Sequence, residues 1–85
     1  MAGYEIYFKE SVWKDIRRIA KADLKRILSR IERLGAEPRP SGCEKLSDQE
    51  LYLIRQGKYR IVYSIQDKEL TNWVVKVGHR KSVYR

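Results

Sequence analysis

Hydrophobic and polar residues change their spacing along the chain, and each change predicts a new element. Residues 4–8 are rich in β-forming side chains and predict a first strand. From Ser11, a suitable helix cap, the apolar residues recur at helical spacing. After a break near residues 20–23 a second apolar stripe runs to Gly35, a residue typical of helix C-termini. The two stripes comprise Val12, Ile16, Ile19 and Ala20, and then Leu24, Ile27, Leu28, Ile31 and Leu34.

After the second stripe the pattern becomes that of strands. Pro38 and Pro40 prevent the helix from continuing, so residues 36–42 predict a loop. Residues 43–46 predict a short extended piece, which a polar turn at 47–49 follows. Longer strand patterns cover 51–55, 58–65 and 70–77, with turns at 56–57 and 66–69. The aromatic residues of this region and of the first helix are interpreted as core or half-buried, namely Tyr52, Tyr59, Tyr63, Trp13 and Trp73.

The order of these elements predicts an α+β fold. A strand, two helices and three hairpin-linked strands occupy a chain of 85 residues, which favours a single domain over residues 1–85. We expect the helical hairpin to cover one face of a four-stranded, mostly antiparallel sheet. The other face of that sheet then becomes the natural working surface.

Charge and cysteine usage narrow the class of partner. The formal net charge is +8, which favours a polyanionic partner such as RNA, DNA, an acidic protein or an anionic membrane surface. Cys43 is the only cysteine, so an intrachain disulfide and a cysteine metal cluster are excluded, and a reducing cytosol is expected. We expect no transmembrane helix, because the sequence has no long apolar run.

The candidate chemistry lies where the last strand ends. Gly78 is followed by His79 and Arg80, and then by Lys81, Tyr84 and Arg85. RNA is cleaved when its 2′-hydroxyl attacks the adjacent phosphorus, a reaction that needs proton transfer and stabilised phosphate oxygens. Arginine suits the second task through its planar donor fork. Histidine exchanges protons near neutral pH, and tyrosine can stack on an unpaired base. Further cations on neighbouring strands are Arg55 and Arg60.

Two segments resemble the RelE/ParE toxin superfamily. These are residues 56–63 (Gln-Gly-Lys-Tyr-Arg-Ile-Val-Tyr) and 77–85 (Val-Gly-His-Arg-Lys-Ser-Val-Tyr-Arg). The second is similar to the RelE branch, the mRNA interferases of type II toxin–antitoxin systems. The resemblance implies a cytoplasmic, ribosome-dependent endoribonuclease that cuts mRNA in the ribosomal A site without a metal or other cofactor. It also implies inhibition by an acidic RelB-like antitoxin.

The same resemblance implies roles for single residues. Arg60 matches the arginine that grips the phosphate, and Arg80 matches the one that also assists the leaving group. Tyr84 matches the tyrosine that stacks on or helps to activate the substrate nucleotide. RNA-binding cations that would contact mRNA or 16S rRNA are Lys45, Arg55, Lys58, Lys81 and Arg85.

The chain departs from the RelE prototype in ways that leave the general base open. Leu53 stands where the prototype has a basic residue, and His79 stands where it has lysine. Glu44 and His79 are similar to the acid–base pair of the YoeB branch, so the base is Glu44, His79 or Tyr84. Two other functions stay open: a ParE-like toxin that inhibits DNA gyrase by binding it, and an inactive relative that binds only RNA or antitoxin.

Overall fold

The elements of the protein follow the predicted order along the chain. The computed structural model describes residues 3–46 and 50–80. Within these residues the strands and helices are β1 (Glu5–Phe8), α1 (Glu10–Ile16), α2 (Lys21–Arg33), β2 (Glu44–Leu46), β3 (Leu51–Gln56), β4 (Tyr59–Gln66) and β5 (Thr71–His79). The α+β class is therefore confirmed.

The strands of the described residues form one mixed sheet in the order β1-β5-β4-β3-β2. β1 is parallel to β5, and the other neighbours are antiparallel. The prediction of four strands was wrong by one. The extended piece after the loop is β2, a fifth strand at the edge of the sheet. It pairs with β3, with Glu44 opposite Leu53 and Leu46 opposite Leu51.

The two helices cover one face of the sheet, as predicted. Val12 of α1 and Ile27 and Ile31 of α2 are buried against alternate residues of the long strands. Those strand residues are Tyr52, Ile54, Ile61, Tyr63, Ile65, Val74 and Val77. Because side chains alternate across a strand, the residues between them point to the opposite face, which we call the open face.

A β-bulge shifts the alternation in β5. Val62 pairs with Lys76 and Tyr63 pairs with Val74, so Val75 is an extra residue. The bulge lets both Val74 and Val77 face the core and places Trp73 on the open face. Trp13 and Trp73 are 47% and 40% exposed, so both are half-buried and neither belongs to the core.

Several element ends differ from prediction. α1 begins at Glu10, so Ser11 lies inside the helix and does not cap it. α1 ends at Ile16 and α2 begins at Lys21 with Ala20 as its N-cap, so the break covers residues 17–20 and not 20–23. β5 begins at Thr71, since Leu70 has a left-handed φ of 52° that a strand does not accommodate.

Candidate functional site

Two arginines face each other at one end of the open face. Arg55 of β3 and Arg60 of β4 are direct cross-strand partners beside the tight turn that joins the two strands. Gly57 begins that turn with φ of 60°, a conformation that glycine adopts at little cost. Like charges directly opposite each other in a sheet are destabilising, by about 0.2–1 kcal/mol on the scale of such pairs. The arrangement breaks a local rule of sheet design, which is typical of functional sites.

The contacts of the two guanidinium groups differ. Arg55 forms an ion pair with Glu44 of β2, with 2.8 Å between Nη2 and Oε2. Arg60 Nη1 donates to the carbonyl oxygens of Tyr59 at 3.0 Å and Gly57 at 3.3 Å. The buried Nε of Arg60 has no hydrogen-bond partner among the described residues. An unsatisfied buried donor costs about 1–3 kcal/mol. The Nε–H of Arg60 can therefore donate a hydrogen bond to an acceptor that binds here.

Arg80 is held at the same end of the sheet. Its backbone N–H donates to the carbonyl of Lys58 at 2.9 Å, which fixes Arg80 beside the turn between β3 and β4. Lys58 is exposed within that turn. The structure therefore brings Arg55, Arg60, Arg80, Lys58 and Glu44 to one end of the sheet.

His79 lies on the other side of the sheet from Glu44. Its register partner is Tyr59, which packs against the core, and the two rings meet edge to face with centroids 6.0 Å apart. His79 lines a groove of about 450 Å³ between β5 and the end of α1. Asp15 of α1 lines the same groove and accepts a hydrogen bond from the Val77 N–H at 3.2 Å. Glu44 and His79 therefore lie on opposite sides of the sheet, and their acid–base roles stay predictions.

Of the remaining predicted residues, one lies on the other side of the sheet and three are outside the described residues. Lys45 pairs with Tyr52, a core residue, so its register directs it to the helix side of the sheet. Tyr84, Lys81 and Arg85 lie outside the described residues. Their roles stay predictions.

A polar cluster around one arginine, Arg39, lies at the opposite end of the sheet, and the sequence analysis did not predict it. Arg39, in the loop after α2, binds both carboxylate oxygens of Asp67 at 2.9 and 3.1 Å. Tyr4 donates to the same carboxylate at 2.7 Å. The guanidinium also lies 5.2 Å from the centre of the Tyr52 ring. The loop and the turn that hold Arg39 and Asp67 are 28 residues apart, and no local pattern predicts their contact.

Residues 3–46 and 50–80 show neither a metal-ligand cluster nor a membrane-spanning helix. They contain no group of three or more His, Cys, Asp or Glu side chains placed to hold a metal ion. Their helices are too short or too polar to cross a membrane.

Comparison with solved structures defines the class of protein. The chain is similar to the RelBE2 toxin–antitoxin complex of Mycobacterium tuberculosis, with a TM-score of 0.82 and 24% identity over 94% of each chain. The archaeal RelE–RelB complex of Pyrococcus horikoshii gives 0.78 and 28%, covering 94% of this chain and 98% of that one. The isolated E. coli RelE toxin gives 0.79 and 24%, covering 95% and 90%. The fold is that of the RelE toxins.

Comparison with protein families gives the narrower assignment. Residues 6–84 match the model of the ParE toxin of type II toxin–antitoxin systems. A search of curated proteins found no match. The chain belongs to the ParE toxin family, and it is a RelE/ParE-like toxin of a type II toxin–antitoxin system. The resemblance to the RelE/ParE superfamily is thereby confirmed.

Proposed function

We propose that this toxin is a ribosome-dependent endoribonuclease that cleaves mRNA in the ribosomal A site. The observation that carries the proposal is the direct opposition of Arg55 and Arg60 on the open face. Two cations kept together at a cost in stability form a ready site for the phosphate that is cleaved. RNA and ribosomes are polyanions, and the net charge of +8 favours both.

In the proposed reaction the arginines stabilise charge on the phosphate oxygens. Arg60 supplies its unused Nε–H once its side chain turns from the carbonyls of the turn toward the phosphate. Arg80 assists the 5′ oxygen as it leaves. Donors organised in advance for such developing charge contribute about 10²–10³ in rate each. Tyr84 stacks on the substrate nucleotide, and Lys58, Lys81 and Arg85 contact RNA.

We assign the removal of the 2′ proton to Glu44. Its carboxylate lies on the face that carries Arg55 and Arg60, and the Arg55 ion pair holds it there. The His79 ring instead meets Tyr59 edge to face on the opposite side of the sheet. General base catalysis contributes about 10²–10⁴ in rate.

We also propose that an acidic antitoxin inhibits the toxin in the cytoplasm. Solved relatives with the same fold are complexes of RelE with RelB. The strongly positive chain offers such an antitoxin complementary charge.

The test is translation in vitro with purified ribosomes, with cleavage mapped by primer extension. Wild type should cut inside the A-site codon, whereas Arg80→Ala, Tyr84→Ala and Glu44→Gln should cut at least about 100-fold more slowly. Lys68→Ala is the matched control, because it removes one positive charge from the turn at the other end of β4. Uncut mRNA with wild type would refute the nuclease.

The match to the ParE family favours a second candidate, inhibition of DNA gyrase by binding. That function needs no catalytic group. It predicts intact mRNA and loss of gyrase supercoiling when purified toxin is added. The two assays together separate the candidates.

A further inference from the structure

Two large aromatic side chains with partly exposed rings stack on each other at the sheet surface. Tyr7 of β1 and Trp73 of β5 are direct register partners, with ring centroids 5.0 Å apart and 28° between the ring planes. They remain 41% and 40% exposed. The Tyr7 hydroxyl donates to Glu5 at 2.7 Å, which helps to fix the ring. Contiguous exposed apolar surface can mark an interaction site, and the two stacked rings form such a surface.

The pair lies on the open face, in line with the arginine site. Trp73 pairs with Ser64 of β4, and Arg60 lies four residues earlier on that strand and on the same face. At about 3.3 Å per residue the two positions are about 13 Å apart along the strand. Val62, which is buried with 6% of its surface exposed, and its partner Lys76 lie between them in the register. One strip of sheet therefore carries stacked rings at one end and the opposed arginines at the other.

The combination of rings and cations on one strip fits single-stranded nucleic acid. Unpaired bases stack on aromatic side chains of sheet surfaces while cations follow the backbone phosphates. Arg55 and Arg60 supply positive charge at one end of the strip. An acidic antitoxin segment would also complement the arginines, but RNA adds flat unpaired bases that stack on the rings.

We propose that the Tyr7–Trp73 pair stacks an unpaired base of the RNA strand whose phosphate Arg55 and Arg60 hold. The inference deepens the proposed function and rests on it for the identity of the strand. The pair takes no part in proton transfer and serves as a positioning contact away from the cleaved bond. The pair adds base stacking to RNA binding that otherwise depends on electrostatic contacts. The stacking contribution persists at salt concentrations that weaken the phosphate contacts.

The chain provides its own reporter for the test. It contains two tryptophans, and Trp13 packs on Phe8 of β1 on the helix side, with ring centroids 5.2 Å apart. Trp13 is 47% exposed, close to the value for Trp73, so it is a matched control. Trp13→Phe leaves Trp73 as the only indole, and Trp73→Phe leaves only Trp13.

Each variant is titrated with a short single-stranded RNA whose 2′-O-methyl groups block cleavage. We expect RNA to quench the emission of Trp13→Phe and to leave that of Trp73→Phe nearly unchanged. An abasic oligonucleotide of the same length should bind through its phosphates without quenching Trp73. Tyr7→Leu and Trp73→Leu should each weaken RNA binding by roughly tenfold, whereas Tyr7→Phe keeps it. Thermal melting of every variant checks that the fold is retained.

Three results would overturn the proposal. These are an unchanged Trp73 emission in bound RNA, equal quenching of both tryptophans, and quenching of Trp73 by the antitoxin but not by RNA. The last result assigns the pair to protein binding. Because the titration involves no ribosome and no cleavage, its outcome is independent of the nuclease assay. Quenching without A-site cuts would refute only the nuclease, and cuts without quenching would refute only the stacking contact.

Discussion

Arginine has opposite roles at the two ends of the sheet. Arg39 binds both oxygens of Asp67, lies within 3.4 Å of the Tyr52 hydroxyl and lies over the ring of Tyr52. Arg55 and Arg60 instead face each other, with one carboxylate, Glu44, paired to Arg55. We call the first group the Arg39 cluster and the second the Arg55–Arg60 site.

The difference teaches how to separate structural from functional charge. The Arg39 cluster joins the loop after α2 to β1, β3 and the turn between β4 and β5, and its donors meet acceptors within the chain. Beneath it, the Tyr63 hydroxyl donates to the Pro38 carbonyl at 2.6 Å and contacts the Cys43 sulfur at 3.3 Å. Burial raises the pKa of Tyr63, so this phenol stays neutral. The Arg55–Arg60 site instead places two cations opposite each other with the Glu44 carboxylate beside them, an arrangement that suits an anion-binding surface.

The largest expected effect concerns activity at the Arg55–Arg60 site. Arg60→Ala should slow A-site cleavage by about 10²–10³ because it removes a donor to the phosphate oxygens. Arg39→Ala, the same change at the other end, should cleave at the wild-type rate below its melting temperature. Primer extension on purified ribosomes measures both. Equal loss of activity in the two variants would erase the distinction between the ends.

The second effect concerns stability and should run the other way. Arg39→Ala should lower the melting temperature by a few degrees, on the order expected when a small domain loses one anchoring contact. The effect is moderate because the Arg39 and Asp67 side chains are about half exposed, and water screens their attraction. Circular dichroism melts of Arg39→Ala and Arg60→Ala provide the comparison. A larger drop for Arg60→Ala would contradict it.

A third effect is the response of the Arg39 cluster to acid. The hydrogen bonds from Arg39 and from Tyr4 lower the pKa of Asp67 from 3.8 to about 2. Because the folded-state pKa lies below the unfolded value, this stabilisation is present in full above about pH 4 and disappears as the pH falls toward 2. Denaturant unfolding between pH 2 and 5 should show that the free energy of unfolding depends less steeply on pH for Asp67→Asn than for wild type. Identical slopes would remove Asp67 from the explanation.

The smallest effect is a gain in stability. Arg60→Thr should raise the free energy of unfolding by a few tenths of a kcal/mol, because it relieves the like-charge pair and introduces a good strand residue. The gain should shrink at 1 M salt, where the repulsion is screened. Denaturant titrations at low and high salt measure both quantities. A loss of stability at low salt would show that the opposed arginines carry no cost.

Much of the fold was predictable from local patterns. Helical spacing of apolar residues located α1 and α2, and alternation over β4 assigned Tyr59, Ile61, Tyr63 and Ile65 to the core. In β5 the bulge at Val75 shifts the alternation, so that Val74 and Val77 both face the core and Trp73 lies on the open face. Alternation also missed that β2 joins the sheet, since a three-residue strand has too few positions to show a period.

The candidate site was also predictable in part from local patterns. The turn at Gly57 places Arg55 and Arg60 two residues on either side of a hairpin loop, so their opposition follows from the sequence once the register is known. The side of the sheet that receives His79 depends on the register between β4 and β5. The partner of Arg39 depends on a contact between two separate loops.

By itself, the sequence determined the class of fold, the order of the elements and the surplus of positive charge. These follow from periodicity and composition, which each segment carries alone. Only the tertiary structure decided which charged side chains pair with each other. That distinction requires distances between segments remote in the chain, as between Arg39 and Asp67 or between Glu44 and Arg55. Electrostatic interaction depends on such distances and on burial, and a one-dimensional pattern contains neither.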